Sequence, residues 1–139
     1  MRGVFADAGY WIALVNPADK LHPKARAVSN SLGGARIVTS EMVLIEVLNK
    51  FSGMGKALRQ LAVDLVEDLR SDSDVFIVPQ SSLQFQEALS LYADRSDKAW
   101  GLTDCSSIRI MIRDGLTQAL SHDHHFQQAG FRALLRDSV

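Results

Sequence analysis

The stretch "ARIVTSEMVLIEVLNKF" (residues 35–51) changes hydrophobic period in its middle, and that change decides the fold. Its first six residues form a short apolar run around Ile37, Val38 and Thr39, the pattern of a buried strand. Ser40 then offers a hydroxyl as N-cap, and Glu41 stands in the first turn, where the helix dipole favours an acid. Strand thus passes directly into helix, and "SGMG" (52–55) breaks the helix. The same alternation extends outward in both directions. Upstream, "VFAD" (4–7) reads as a buried strand ending in an acid, "WIALV" (11–15) as a brief helical turn, and "NPADKLHPKA" (16–25) as a loop leading into a helix. Downstream, "KALRQLAVDLVEDLR" (56–70) spaces Leu58, Leu61, Ala62, Leu65, Val66 and Leu69 as an amphipathic helix.

"VFIVP" (75–79) is a further buried strand stopped by Pro79, and "SSLQFQEALSLYADR" (81–95) repeats the helical period through Leu83, Ala88, Leu91 and Tyr92. After the loop "SDKAWGL" (96–102), a helix runs from Thr103 through Met111, with Thr103 as its expected N-cap, and "RDG" (113–115) ends it. "LTQALSHD" (116–123) is a fourth strand, "HHFQQAG" (124–130) a short helix, and "FRALL" (131–135) a last strand. Strands alternating with helices from end to end predict one α/β domain over residues 1–139. It would be a three-layer α/β/α sandwich with a central parallel sheet. In such sheets the reactive residues gather outside the carboxyl ends of the strands.

Composition narrows the class of function. The chain has 139 residues, 47% of them apolar and 22% charged, which suits a globular domain that buries its own core. Fifteen Lys and Arg against sixteen Asp and Glu leave a net charge of −1, so any basic surface for nucleic acid must be local. The lone cysteine, Cys105, excludes an internal disulfide and suits a reducing compartment. The apolar N-terminus is interrupted by Asp7 and lacks the length of a membrane span. The expected setting is therefore the cytoplasm, with no membrane.

Four acids stand at positions able to face one cleft. Asp7 ends the first strand and Asp123 follows the fourth; for each the ordinary explanation is a helix cap. Glu46 lies in "VLIEVL", between aliphatics on an apolar helix, with Lys50 four residues on as its ordinary partner. Asp104 falls in the first turn of a helix whose inner face is Cys105, Ile108, Met111 and Ile112, where the dipole alone would favour it. Together, four carboxylates in one pocket would repel and raise one another's pKa. A divalent cation resolves that conflict, and an all-oxygen donor set selects Mg²⁺ or Mn²⁺ over zinc. With no phosphate-cradling glycine loop, such a centre suits phosphoryl chemistry on a substrate that carries its own phosphate.

At these residues the chain resembles the PIN domains, and within them the VapC-type toxins of bacterial toxin–antitoxin pairs. The resemblance runs through "FADAGYWIAL" (5–14), "TSEMVLIEVLNKF" (39–51), "KAWGLTDCSSIRIM" (98–111) and "ALSHDHHFQQAGF" (119–131). The last two are the specific ones, close to the family runs W-S-L-T-D-C-S-S and A-L-T-x-D-x-H-F-x-x-A-G-F. The resemblance implies a metal-dependent endoribonuclease that leaves a 5′-phosphate and a 3′-hydroxyl. Asp7 and Asp104 would be the principal ligands of Mg²⁺, for which Mn²⁺ substitutes, with Glu46 and Asp123 completing the catalytic quartet. It also implies an RNA substrate, a homodimer, and a small antitoxin protein that silences the groove. Ala8, Gly101 and His124 depart from the family's usual Ser or Thr, Ser, and Arg.

The remaining candidates have plainer readings. Thr103, Ser106 and Ser107 are cap-like hydroxyls at a helix start, Cys105 is buried filling, and Trp11 and Trp100 are core or interface residues. Lys56, Lys98, Arg109 and Arg113 are ordinary surface cations able to contact phosphate, and Asp94 and Asp97 belong to a solvated loop. Adjacent His124 and His125 do not point easily at one zinc ion; His125 reads as structural, and His122 and His124 as bystanders. A phosphatase of the haloacid-dehalogenase type would need an acid where Gly9 stands, and a dinucleotide-binding module its glycine turn. The competing readings are a PIN module that binds RNA or protein without catalysis, and a housekeeping RNA-processing nuclease without an antitoxin.

Overall fold

Five strands and seven helices alternate through residues 3–136, the part of the chain described in this computed structural model. Residues 1, 2 and 137–139 of the expected 1–139 domain lie outside the described residues. The strands are β1 (Gly3–Ala6), β2 (Arg36–Ser40), β3 (Val75–Val78), β4 (Gln118–Leu120) and β5 (Arg132–Ala133). All neighbouring pairs run parallel, in the order β3-β2-β1-β4-β5, with helices flanking the sheet as its connections. The chain builds outward from β1 to β2 and β3, then returns to place β4 on the other side of β1. That reversal makes β1/β4 the topological switch point, where open parallel sheets form their clefts.

Local chemistry sets each element. Helix α1 (Ala8–Val15) follows Asp7 directly, and α2 (His22–Ser31) starts with a proline in its first turn. Helix α3 (Glu41–Phe51) follows β2 without a loop, and the Ser40 hydroxyl accepts the Val43 N–H at 3.1 Å, the cap expected from sequence. Gly55, at φ 93°, opens α4 (Lys56–Ser71), a conformation that favours glycine. Thr39 ties the sheet to α1: its buried hydroxyl donates to the Ala6 carbonyl at 2.8 Å and accepts from Trp11 Nε1 at 3.2 Å. The main core gathers Phe5, Tyr10, Trp11, Val43, Val47, Phe51, Ile110, Met111, Leu120 and Phe126, all essentially buried. A smaller cluster of Ala88, Trp100, Cys105 and Ile108 joins α5 (Ser82–Asp94) to α6 (Leu102–Asp114). Helix α7 (His124–Gln128) then precedes β5.

Some sequence expectations are corrected. Strand β3 is an edge strand with Phe76 exposed, not a buried strand, because nothing pairs with its outer side among the described residues. On α5 the period holds but the phase is shifted: Gln84 and Ala88 are buried while Leu83 and Tyr92 are exposed. Gln84 is drawn inward because its amide donates to the Ser106 hydroxyl at 3.2 Å and accepts from Arg113 at 3.2 Å. On α6, Ile110 is buried in place of Ile112, which is exposed. The N-cap of α6 is Gly101 and not Thr103, and α1 is a full helix rather than a brief turn.

Candidate metal centre

Asp7, Glu46, Asp104 and Asp123 line one cavity of about 440 Å³, together with Ala8, Gly9, Ser121 and His122. Four separate elements deliver the acids. Asp7 follows β1 and Asp123 follows β4, so both stand at the carboxyl ends of the two strands that meet at the switch point. Glu46 projects from the middle of α3 and Asp104 from the first turn of α6, and these helices touch.

The ordinary explanations now separate. Asp7 occupies the N-cap position of α1, yet its side chain makes no capping bond. Instead Asp7 Oδ2 accepts from Ser121 Oγ at 3.0 Å, and Ser121 Oγ in turn accepts the Asp123 N–H at 3.0 Å. Asp123 does cap: its Oδ1 takes the His125 N–H at 3.0 Å at the start of α7. Asp104 also serves its helix, with Oδ2 accepting the Gly101 N–H at 2.9 Å. Glu46 has no such local duty. It sits on the exposed side of α3 and forms no ion pair with Lys50 among the described residues, so the aliphatics beside it do not enclose it. The Thr103 hydroxyl of α6 is its hydrogen-bond partner.

Burial and mutual repulsion act on Asp7, Glu46 and Asp104 in the same direction. Asp7, 9% exposed, has its pKa raised from 3.8 to about 7, chiefly by burial, with the Asp104 and Glu46 charges adding and the Ala8 and Ser121 hydrogen bonds opposing. Glu46, exposed as a residue, is raised by the partial burial of its carboxyl and by the charges of Asp104 and Asp123, against the Thr103 hydrogen bond. Asp104 is raised by burial and by Asp123, while the Gly101 N–H and His125 pull it down. The donor set fits a hard divalent cation, which would remove the penalty of holding these acids charged together.

A buried ring nitrogen sits between two of the acids. His125 Nδ1 lies 3.0 Å from Asp104 Oδ2 and 2.9 Å from Asp123 Oδ1, yet it satisfies hydrogen-bond geometry with neither. Asp123, His124 and His125 also bring one ligand atom each within 4.8 Å of one another, although His124 is exposed.

Neither Ser121 nor the Thr103–Glu46 contact stands out in the sequence as part of the site. The only available signal was position, two residues before an acid at a strand end for Ser121 and beside Asp104 for Thr103. The other hydroxyls are not caps: Ser106 accepts from Gln84, and Ser107 Oγ is buried without a hydrogen-bond partner among the described residues. Cys105 is buried and its thiol pKa is pushed up by that burial, which leaves no reactive thiolate. Trp100 is buried, and its Nε1 donates to Gln128 Oε1 at 3.0 Å, linking the approach to Asp104 with the helix after Asp123. Arg95 lies 5.0 Å from the centre of the Trp100 ring and is held by Asp97 through bonds of 2.9 and 3.0 Å.

The PIN domain model matches residues 4–132. In two strains of Mycobacterium tuberculosis, the protein described as 23S rRNA-specific endonuclease VapC20 is 28% identical over 132 residues, covering 92% of this chain and 95% of the relative. The crystal structure of M. tuberculosis VapC20, a sarcin–ricin loop cleaving toxin, superposes with a TM-score of 0.82 at 23% identity, covering 92% of this chain and 95% of that one.

Proposed function

The chain belongs to the PIN-domain family, and on that premise we propose that it is a divalent-metal-dependent endoribonuclease, the toxin of a toxin–antitoxin pair. Asp7, Glu46, Asp104 and Asp123 are its catalytic and metal-holding acids, with Mg²⁺ as the ion and Mn²⁺ as a substitute. One observation carries this reading: four acids from four elements converge on a single cavity at the switch point, and Asp7 is buried there at an energetic cost. A larger apolar groove between α3, α4 and β3, lined by Leu44, Ile45, Leu48 and Val66, holds no comparable group of acids.

The bound ion would neutralise the acids and the scissile phosphate and acidify a water for attack. The chain's own groups set the geometry for that chemistry. Ser121 fixes the Asp7 carboxylate, the Gly101 N–H fixes Asp104, and the His125 N–H fixes Asp123. Glu46, reachable from solvent and steadied by Thr103, is placed to orient water or accept a proton at the cavity mouth. In-line attack leaves a 5′-phosphate and a 3′-hydroxyl.

The VapC20 relative acts on 23S rRNA, so ribosomal RNA is the first substrate to offer. The protein acts in the cytoplasm as a homodimer and is held inactive by a small antitoxin protein. No helix among the described residues is long and apolar enough to cross a membrane. Purified protein with Mn²⁺ or Mg²⁺ should cut ribosomal RNA, and EDTA, Asp7→Asn or Asp104→Asn should abolish the cut. Cleavage that survives all three sinks the assignment. Tight RNA binding without cleavage supports a binding module, and an active protein that co-purifies with no small partner supports a housekeeping nuclease.

A further inference from the structure

We propose that Arg136 is a substrate-binding residue, holding a phosphate of the RNA strand beside the one that reacts. This rests on the ribonuclease reading above and adds how an acidic centre admits a polyanion. The described residues that line the cavity include four acids and no lysine or arginine. One divalent ion offsets two of those four charges once all are ionised, so an incoming strand needs a cation near the cavity. Several arginines are already paired: Arg70 with Glu67 at 3.6 Å, Arg95 with Asp97 at 2.9 Å, and Arg113 with Asp114 at 3.4 Å. Arg136 is exposed and has no carboxylate partner among the described residues.

The chain fixes Arg136 at the cavity wall through both backbone and side chain. Strand β5 follows β4 toward its carboxyl end: the Leu134 N–H donates to the Ala119 carbonyl at 2.9 Å, and that of buried Leu135 to the Ser121 carbonyl at 3.1 Å. Arg136 comes next, so its backbone stands beside the serine that holds Asp7. Its own N–H closes a turn on the Ala133 carbonyl at 3.0 Å. Arg136 Nη1 then donates to the His122 carbonyl at 3.0 Å, and His122 stands between Ser121 and Asp123 in the cavity lining. A guanidinium presents five donors in a planar fork that matches phosphate. No other bond engages this fork among the described residues, so it is held at the wall and still open to a phosphate. Anchoring also lowers the entropy lost when a long side chain is immobilised on binding. RNA is favoured over an acidic protein because a strand whose phosphate reaches the ion brings the neighbouring phosphates past this wall.

Steady-state cleavage of ribosomal RNA by the Mn²⁺-loaded full chain, over a series of salt concentrations, tests this. Arg136→Gln should raise KM about fivefold at low salt with kcat unchanged, the pattern of a contact made equally in the ground and transition states. Its plot of log KM against log salt should be shallower by about 0.7, the counterion release of one phosphate contact to a single strand. Arg136→Lys keeps the charge and should keep most of the native slope. Arg70→Gln, at the end of α4 just before the amino end of β3 and so across the sheet from the cavity, should match the native protein. Mn²⁺ affinity by calorimetry should be the same in every variant. Native cleavage combined with an unchanged KM and slope in Arg136→Gln overturns the proposal and leaves the ribonuclease standing, whatever protein the arginine then meets. A loss confined to kcat, an equal loss in Arg136→Lys, or a weakened Mn²⁺ site overturns it too, since each marks a structural part. A native chain that cuts no RNA removes the ribonuclease reading and this inference together.

Discussion

Ser121 Oγ donates to Asp7 Oδ2 at 3.0 Å across a sequence separation of 114 residues, and the same oxygen accepts the Asp123 N–H. One hydroxyl therefore joins the carboxyl ends of β1 and β4 and sets the rotation of the most buried acid. Removing it in Ser121→Ala leaves the Asp7 carboxylate without that donor, so its charged form becomes harder to hold. Mn²⁺ affinity at pH 7 should fall on the order of tenfold, and stability in EDTA should change by only about 1 kcal/mol. Ser121→Thr, which keeps the hydroxyl, should recover part of the affinity. Calorimetry on the three proteins checks this, and equal affinities would remove Ser121 from the site.

The raised carboxyl pKa values make a signed forecast for metal-free protein. An acid whose pKa is raised on folding stabilises the fold fully below its unfolded value, and that stability is lost as the pH climbs through its folded value. For Asp7 the window runs from 3.8 to about 7, and Glu46 and Asp104 shift in the same direction. In EDTA the melting temperature should therefore fall as the pH rises through this window, by the equivalent of a few kcal/mol. Asp7→Asn should flatten the profile, and saturating Mn²⁺ should stabilise more at pH 8 than at pH 5. A melting temperature in EDTA that rises between pH 5 and pH 7 would contradict the burial argument.

Asp123 has two duties that substitution can separate. Asn retains an oxygen to cap α7 but not the charge, whereas Ala removes both. Asp123→Asn should lose most of the cleavage activity with little change in melting temperature. Asp123→Ala should lose the activity and also about 1 kcal/mol of stability, roughly 3–5 °C in a chain of this size. Equal melting temperatures in the two variants would show that the cap is idle.

Trp100 tests how the approach to Asp104 is held. Trp100→Phe keeps most of the ring and removes the Nε1 donor to Gln128, at a cost of about 1 kcal/mol. Trp100→Ala opens a cavity in the small core beside Cys105 and Ile108 and should cost about 3–5 kcal/mol. Urea denaturation of both, in EDTA, distinguishes the two magnitudes.

Where chemistry is local, the chain declared its structure. Ser40 and Glu41 begin α3 as expected because a hydroxyl, a first-turn acid and the helix dipole act within four residues. The cap of α6 went to Gly101 and not Thr103, because extended backbone at Gly101 lets Asp104 reach back to its N–H. The α5 period was legible but its phase was not, since Gln84 turns inward only to meet Ser106 and Arg113 from another helix. Glu46 read as enclosed by aliphatics, yet Ile45 and Leu48 face solvent with it.

The order of strands and helices, and acids at the ends of β1 and β4, belong to the sequence alone, because hydrophobic period and capping are properties of neighbours along the chain. Which acid is buried, which merely caps, and that Ser121 joins two of them belong to the tertiary structure. Strand β4 pairs with β1 only after the chain has built β2 and β3, and that pairing brings Ser121 to Asp7. Only then do burial and mutual repulsion raise the Asp7 pKa, since both depend on distance in space and not on separation in sequence.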